Sequence, residues 1–461
     1  MTISSALPGQ TATIERELRA AVSGTVLVNA DAHYDRARRV WNGAVDRRPA
    51  AIVRCANDTD VAAGVRVARE HNLPLSVLGG GHDWAGRALR EGGMVLDLSA
   101  LREIKVDNAA CTADIQGGVR AGDFVSAAHR HGVMPVVGAV SSVGMAGLTL
   151  GGGYGLLLGR HGLASDNLIG ARVVLADGSR VTAGPDQNPD LFWALRGGGG
   201  NFGVATRLRY QVHPGTTVVA GLLLFPLSQA FDVLEGYQYL TSRVHDALTV
   251  MAGFITGPEG VPVLFLLPVW GGDPAQEKKE AYVRLANLGT PASGTLAPMA
   301  YRDVIDLFDP NIIEGRHNEM RTHWLSELTA DTVSILVSAA SRVTSPLSCI
   351  LLHHFHGAPA RIPVADTAFA LRQNHLLVEI SASWVPGNDI KADSAHRRWA
   401  DEISADLAEY ALPGGYPSLL GADERDRAFL GYGPNSARLL DIKRRFDPDG
   451  VFSAVPALGE S

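Results

Sequence analysis

The feature that most constrains this chain is the passage from the apolar run Leu73–Leu78 into Gly79-Gly80-Gly81, followed at once by His82, Asp83 and Trp84. The run reads as a buried strand. Glycines lack a Cβ, so they reach positive φ and let backbone N–H groups converge on an anion. Taken alone, this is equally a tight strand-ending turn with a surface histidine. Two further loops of the same character, Gly151-Gly152-Gly153-Tyr154-Gly155 and Arg196 to Gly203, weigh against that reading. Together they point to a phosphate-rich cofactor held by backbone rather than by cationic side chains.

A chain of 461 residues predicts two or three domains. Lys and Arg number 41 against 48 Asp and Glu, with no basic run of the kind that tracks nucleic acid or an anionic membrane. The first residues carry Glu15, Glu17 and Arg19 and form no signal-peptide stretch. No window approaches the ~18 uninterrupted apolar residues of a spanning helix. Cys55, Cys111 and Cys349 are far apart and odd in number, which suits a reducing cytosol and argues against disulfides or a cysteine-rich metal site. The expectation is a cytoplasmic, cofactor-dependent protein with no metal, no nucleic-acid partner and no membrane partner, as a monomer or homodimer.

Along the chain, residues 1 to about 45 read as helical and then irregular. Ala51–Cys55 is a short strand. Asn57 to Asp60 supplies cap residues for a helix to Glu70, with Val61, Val65 and Ala68 on one face. Strands follow at Met94–Leu98 and Ala110–Gln116, then a helix at Ala121–His131. Pro135 to Gly159 is almost free of charge and reads as wrapped around something large and flat. Arg172–Ala176, Asp177-Gly178 and Arg180–Ala183 form a hairpin signal. A helix starts at Asn188-Pro189 and ends at Leu195, and a strand runs from Val204 to Val212. Composition shifts near Pro214-Gly215. Beyond it, strands are expected at Val263–Trp270, Val333–Ala340, Cys349–Phe355 and Leu376–Trp384. Helices are expected near Gln229–Arg243, Ala275–Ala286 and Ala395–Tyr410, with a last one at Ser436–Arg445. The pattern is α+β: a sheet covered by helices on one face, joined to a first α+β unit that is not doubly wound.

Gly198-Gly199-Gly200-Asn201-Phe202-Gly203 satisfies the dinucleotide pattern G-x-G-x-x-G. That pattern needs a strand before it and a helix after it, and here the order is reversed, so a Rossmann reading is rejected. No Gly-Lys pair, H-E-x-x-H, C-x-x-C or G-x-S-x-G occurs, which removes the usual evidence for P-loop, zinc-hydrolase and α/β-hydrolase chemistry.

Leu78 to Asp83, Gly147-Leu148-Thr149-Leu150 running into Gly151–Gly155, and Asp190-Leu191-Phe192-Trp193-Ala194-Leu195-Arg196-Gly197-Gly198-Gly199 resemble the FAD domain of the vanillyl-alcohol oxidase superfamily. The branch they resemble is the berberine bridge enzyme-like oxidases, in particular bacterial members with a single covalent flavin link. Tyr432-Gly433-Pro434-Asn435, Arg438-Leu439, Lys443, Asp447-Pro448 and Phe452 agree at the carboxyl end. The resemblance spans nearly the whole chain. It implies a two-part, PCMH-type FAD-binding domain over 1–213, with its core at about 46–213. A substrate domain with an antiparallel sheet would occupy 214–410, and 411–461 would return to the FAD domain.

The resemblance also assigns residues. His82 matches the histidine bonded to the flavin 8-methyl group, and a neutral imidazole is a competent nucleophile for that role. Leu78, Gly79, Gly80, Gly81 and Asp83 would cradle the pyrophosphate. Gly138, Ser142, Val143, Gly144, Gly147 and Leu148, with Gly151 to Gly155 including Tyr154, would lie along FAD. Asn201, Gly203 and Val204 would close over the adenine side. Tyr416, Ser418, Tyr432 and Asn435 would complete the site from the tail.

Two departures matter. Doubly linked members carry cysteine where this chain has Gly132-Val133-Met134-Pro135, so one covalent link is expected, through His82. The family's Tyr-x-Asn is here Tyr416-Pro417-Ser418.

The implied activity is an FAD-dependent oxidase. It would take hydride from a C–H beside O or N of a small, natural-product-like substrate and reduce dioxygen to hydrogen peroxide. A dehydrogenase with another acceptor and a non-redox flavoprotein remain open on the same fold. On the substrate side stands His353-His354-Phe355-His356. Alternate strand residues share a face, so His354 and His356 converge while His353 points away. His354, His356 and Tyr416 are the candidate catalytic residues, although two satisfied histidines at a domain seam would look the same.

Overall fold

The computed structural model describes residues 8–272, 279–387, 389–456 and 458. A four-stranded sheet runs in the order Thr25–Leu27, Ala51–Arg54, Met94–Asp97, Leu75–Leu78. Its last three strands are parallel, with helix Asp58–Glu70 as the crossover. Asn57 caps that helix by accepting from the Asp60 N–H, and Val61, Val65 and Ala68 are buried on one face, as their spacing predicts. A five-stranded antiparallel sheet follows: Ile104–Asp107, Thr112–Gln116, Val204–Gln211, Leu168–Val174, Arg180–Ala183. Gly178, at φ +79°, turns the expected hairpin.

The third sheet is antiparallel and eight-stranded. Its path is Ala297–Ala300, Thr217–Ala220, Pro262–Trp270, Leu248–Thr256, Cys349–Phe355, His375–Trp384, His317–Leu325, with Leu223–Pro226 added on Pro262–Trp270. Helices Ala230–Thr241, Ala330–Ser341 and Ile390–Leu407 cover one face through a core that includes Leu264, Leu352, Val378 and Trp399. On the other face Met251, Phe265 and Leu267 join a core shared with Val137, Leu150 and Phe202. One face of the sheet is therefore committed to helices and the other to the glycine-rich loops.

Val333–Ala340 is a correction: it lies inside a helix, not a strand. Thr329 caps that helix by accepting from the Thr332 N–H, and Val333, Leu336 and Ala340 fall on one buried helical face. The β-branched residues Val333 and Val337 carry strand propensity, but the cap and the 3.6-residue spacing prevail. The helix expected at Ala275–Ala286 is present from Lys279; its start lies outside the described residues, as do residues 1–7. Strands Leu248–Thr256 and His317–Leu325 went unread. In the second, Glu319 and Arg321 break up the apolar signal, and Arg321 answers Asp401 on the covering helix at 2.9 Å.

Candidate FAD site

The strand Leu75–Leu78 delivers the chain into the Gly79–Gly81 loop, where Gly81 has φ +75°. This loop meets the Ser141–Gly144 loop backbone to backbone. A Cβ placed on Gly80 would lie 2.2 Å from the Gly144 nitrogen, so neither loop tolerates a side chain there. Gly147, one turn into the helix Met145–Gly151, faces open space. Gly151 lies under the Ser418 hydroxyl, Gly152 under the Phe369 ring and Gly155 under the Val137 carbonyl. Close packing requires glycine at most of these positions, and at Gly147 its absence of a side chain leaves the start of the helix open, which fits a phosphate-bearing cofactor held by backbone amides.

His82 stands at the mouth of the first loop with its ring stacked on Trp41, centroids 5.4 Å apart. Burial, then the nearby Arg120, pushes its pKa down to about 4, against a smaller opposing effect of Asp309. The imidazole is therefore neutral at physiological pH, with a lone pair available. Asp309 also accepts from the Ser141 N–H at 3.2 Å and from its hydroxyl.

Several assigned residues also tie the fold together. Asp83 accepts from the Arg87 N–H at 3.0 Å and pairs with its guanidinium at 2.8 Å. Asn201 donates to the Gly198 and Pro456 carbonyls, binding its loop to the tail. Asn435 donates to Val364 and Thr367 carbonyls. Gly203, at φ +156°, lets Val204 enter its strand against Val174. Met134 is buried in a two-stranded ribbon with His213-Pro214.

Around Tyr416 the structure gathers an aromatic cluster. Its ring lies 5.1 Å from Tyr154 and 6.4 Å from Phe369. The Gly153 N–H donates to Tyr416 Oη at 3.0 Å, and Ser418 hydrogen-bonds the same atom. Burial nonetheless raises the pKa of the phenol, which keeps its proton at neutral pH. Tyr154 Oη donates to His375 Nε2 at 2.7 Å, because His375 Nδ1 serves the Gln373 carbonyl, and it accepts from Trp324 Nε1 at 3.1 Å.

The histidine strand requires a correction. His354 and His356 do converge, stacked at 4.0 Å, but His354 lies on the helix-covered face, where Tyr237 packs beside it, and His356, just past the end of the strand, lies against Gly159. Neither is among the rings packed on Tyr416, which are those of Tyr154 and Phe369. His353 is the residue on the Tyr416 side, 6.4 Å from the Tyr154 ring. Parity states which residues share a face and not which face that is. Beside His353 stands Glu379, Nε2 to Oε2 3.4 Å, and Thr322 lies directly opposite Glu379 on the next strand. His353 Nε2 and Thr322 Oγ1 are both buried without a hydrogen-bond partner. His353, Glu379, Thr322 and Trp324 were not singled out from the sequence; alternation along Cys349–Phe355, anchored on Ile350 and Leu352 as core, was the signal that could have found the first.

Among the described residues, no group of three or more His, Cys, Asp or Glu is placed to hold a metal ion. Among them, too, no helix is long and apolar enough to cross a membrane.

Comparison with known proteins places this geometry. Residues 49–184 match the FAD binding domain family, which defines an FAD-linked oxidoreductase, and residues 420–457 match the family described as berberine and berberine like. FAD-linked oxidoreductase pgmH of Aspergillus terreus is 30% identical over 96% of both chains. The chain belongs to the berberine bridge enzyme-like FAD-linked oxidoreductases. The crystal structure of 6-hydroxy-D-nicotine oxidase from Arthrobacter nicotinovorans superposes with TM-score 0.85 at 27% identity, over 95% of this chain and 98% of that one. Glucooligosaccharide oxidase from Acremonium strictum, described with a 6-S-cysteinyl, 8α-N1-histidyl FAD, shares the fold at TM-score 0.84 and 22% identity, over 97% of this chain and 100% of that one.

Proposed function

We propose that this oxidoreductase is an oxidase for a small organic molecule with a C–H beside nitrogen or oxygen, and that its FAD is joined to the protein once, through His82. Bound FAD supplies the hydride acceptor and the route of electrons to dioxygen. The observation that carries the reading is the pairing of a neutral His82 at the end of the glycine loop with a polar trio, His353, Glu379 and Thr322, across from Tyr416. Tyr416, protonated, donates a hydrogen bond to the substrate heteroatom and so fixes which C–H is presented. His353 receives the substrate proton, and Glu379, whose Oε2 lies 3.4 Å from Nε2, stabilises the imidazolium that results. The aromatic wall of Tyr154, Phe369 and Trp324 excludes water. Met134 carries a thioether where doubly linked relatives have cysteine, which leaves His82 as the one attachment point.

The test is the absorption spectrum before and after acid precipitation, followed by anaerobic mixing with candidate amines and alcohols. Colour that stays with the pellet, bleaches with substrate and returns with one peroxide per turnover supports the reading. A yellow protein that bleaches but yields no peroxide in air is a dehydrogenase. One that no substrate bleaches does not use its flavin for redox chemistry.

A further inference from the structure

The chain segment around Trp41 touches both the glycine loop and the substrate-side sheet. The Trp41 N–H donates to the Gly81 carbonyl at 3.0 Å, and the Gly315 N–H donates to the Trp41 carbonyl at 3.1 Å. Asn42 Nδ2 donates to the Trp84 and Asn318 carbonyls at 2.6 and 2.9 Å, and its Oδ1 accepts from the Asn318 N–H at 2.9 Å. Gly43 lies against Gly315, where a Cβ would come within 2.2 Å of the carbonyl oxygen. The backbone that carries the indole is thus held on both sides of the His82 loop.

The indole itself covers one face of His82, with the planes 16° from parallel. A functional histidine is usually aimed by a hydrogen bond to its second ring nitrogen. Among the described residues the His82 ring has no such bond, and the ring contact it makes is the stack on Trp41.

We propose that Trp41 is a positioning residue for covalent flavin attachment: by stacking on His82 it fixes the ring torsion that aims an imidazole nitrogen at the flavin methyl carbon. The inference rests on the His82 assignment above. The attachment replaces one imidazole N–H and one methyl C–H with an N–C bond. The two hydrogens leave as two protons and two electrons, and dioxygen takes them as hydrogen peroxide. Trp41 donates and accepts nothing in this balance; it narrows the angular range of the nucleophile, the kind of constraint whose loss costs rate rather than affinity.

The experiment follows acid-stable flavin over time, by in-gel fluorescence, after FAD is added to the full-length protein prepared from flavin-depleted cells. Total bound flavin is measured in parallel. Trp41→Leu is expected to bind FAD yet form the acid-stable product about 10- to 100-fold more slowly. Trp41→Phe, which keeps a stacking ring, is expected to stay near wild type. Attachment by Trp41→Leu at the wild-type rate overturns the proposal. If Trp41→Leu does not fold, Trp41→Met against Trp41→Phe decides: slow attachment in the first alone supports the stack, and equal rates overturn it. Acid-labile flavin in the wild type fails the His82 assignment instead, and His82→Ala, yellow but acid-labile, is the reference for that outcome.

Discussion

Arg372 and Asp166 form the most deeply buried ion pair described here, and its loss can be worked through. The guanidinium is 3% exposed and the carboxylate 4%. Two parallel bonds join them, Nη2 to Oδ1 at 2.8 Å and Nη1 to Oδ2 at 3.0 Å. Arg372 also donates to the Phe369 and Pro359 carbonyls, and Asp166 accepts from the Leu163 N–H at 2.9 Å. Replacing Arg372 by Met keeps the volume of the stem but leaves a carboxylate buried with one donor. Breaking one side of such a pair costs about 3–5 kcal/mol, because the remaining charge stays desolvated. With a urea slope of about 3 kcal/mol/M, the unfolding midpoint should fall by about 1–1.7 M. Arg372→Met/Asp166→Asn, which removes the orphaned charge, should recover a large part of that loss, since a neutral amide can still accept from Leu163. Urea titrations of the three proteins, read by tryptophan and flavin fluorescence, measure this directly. A single variant within about 0.3 M of wild type, or a double variant no better than the single, would refute the argument from desolvation.

Further outcomes are expected elsewhere. His353→Asn should lower turnover by about 100-fold or more with FAD retained, whereas His354→Asn should leave the pH dependence of turnover unchanged; steady-state kinetics across pH separates the two. Gly152→Ala should lose flavin or fail to fold, because φ is +129° and the new Cβ would lie 2.8 Å from the Phe369 ring. Stability should fall as pH drops from about 6.5 toward 4. Burial pushes His161 and His375 down to about 3 and His213, His323 and His356 down to about 4, against 6.5 when free. Between those limits the unfolded chain binds protons that the fold refuses, at up to about 1.4 kcal/mol per pH unit for each group. Above pH 7 both states are neutral and the effect vanishes. A urea midpoint that is flat from pH 7 to pH 5 would contradict it.

What could be read from the sequence was what depends on near neighbours. The Asn57 cap, the Asp177-Gly178 hairpin and the reversed order around Gly198–Gly203 are local, and each appears where local chemistry puts it. The glycine loops were legible because strand, turn and histidine are adjacent. Parity along Cys349–Phe355 was legible too, but the choice of face depends on three helices that arrive from elsewhere in the chain. The helix Ala330–Ser341 was misread because its β-branched residues outvoted a single threonine cap. Trp41 offered no signal, since its partner lies 41 positions away and nothing near it announces an aromatic contact. His82 could be picked out from the loop that holds it; the indole stacked on it could not.

The two-sided character of the large sheet has a consequence for how such a protein diversifies. Ile350, Leu352, Val378 and Ile380 are locked into the helix-covered core, while Leu351, His353, Glu379, Ser381, Met320 and Thr322 alternate with or oppose them on the other side. A randomised library confined to Leu351, Ser381 and Met320, which flank the His353, Glu379 and Thr322 trio on that side, would therefore sample new substrate preferences over an unchanged foundation, whereas changes at Ile350, Leu352, Val378 or Ile380 would disturb the core beneath it.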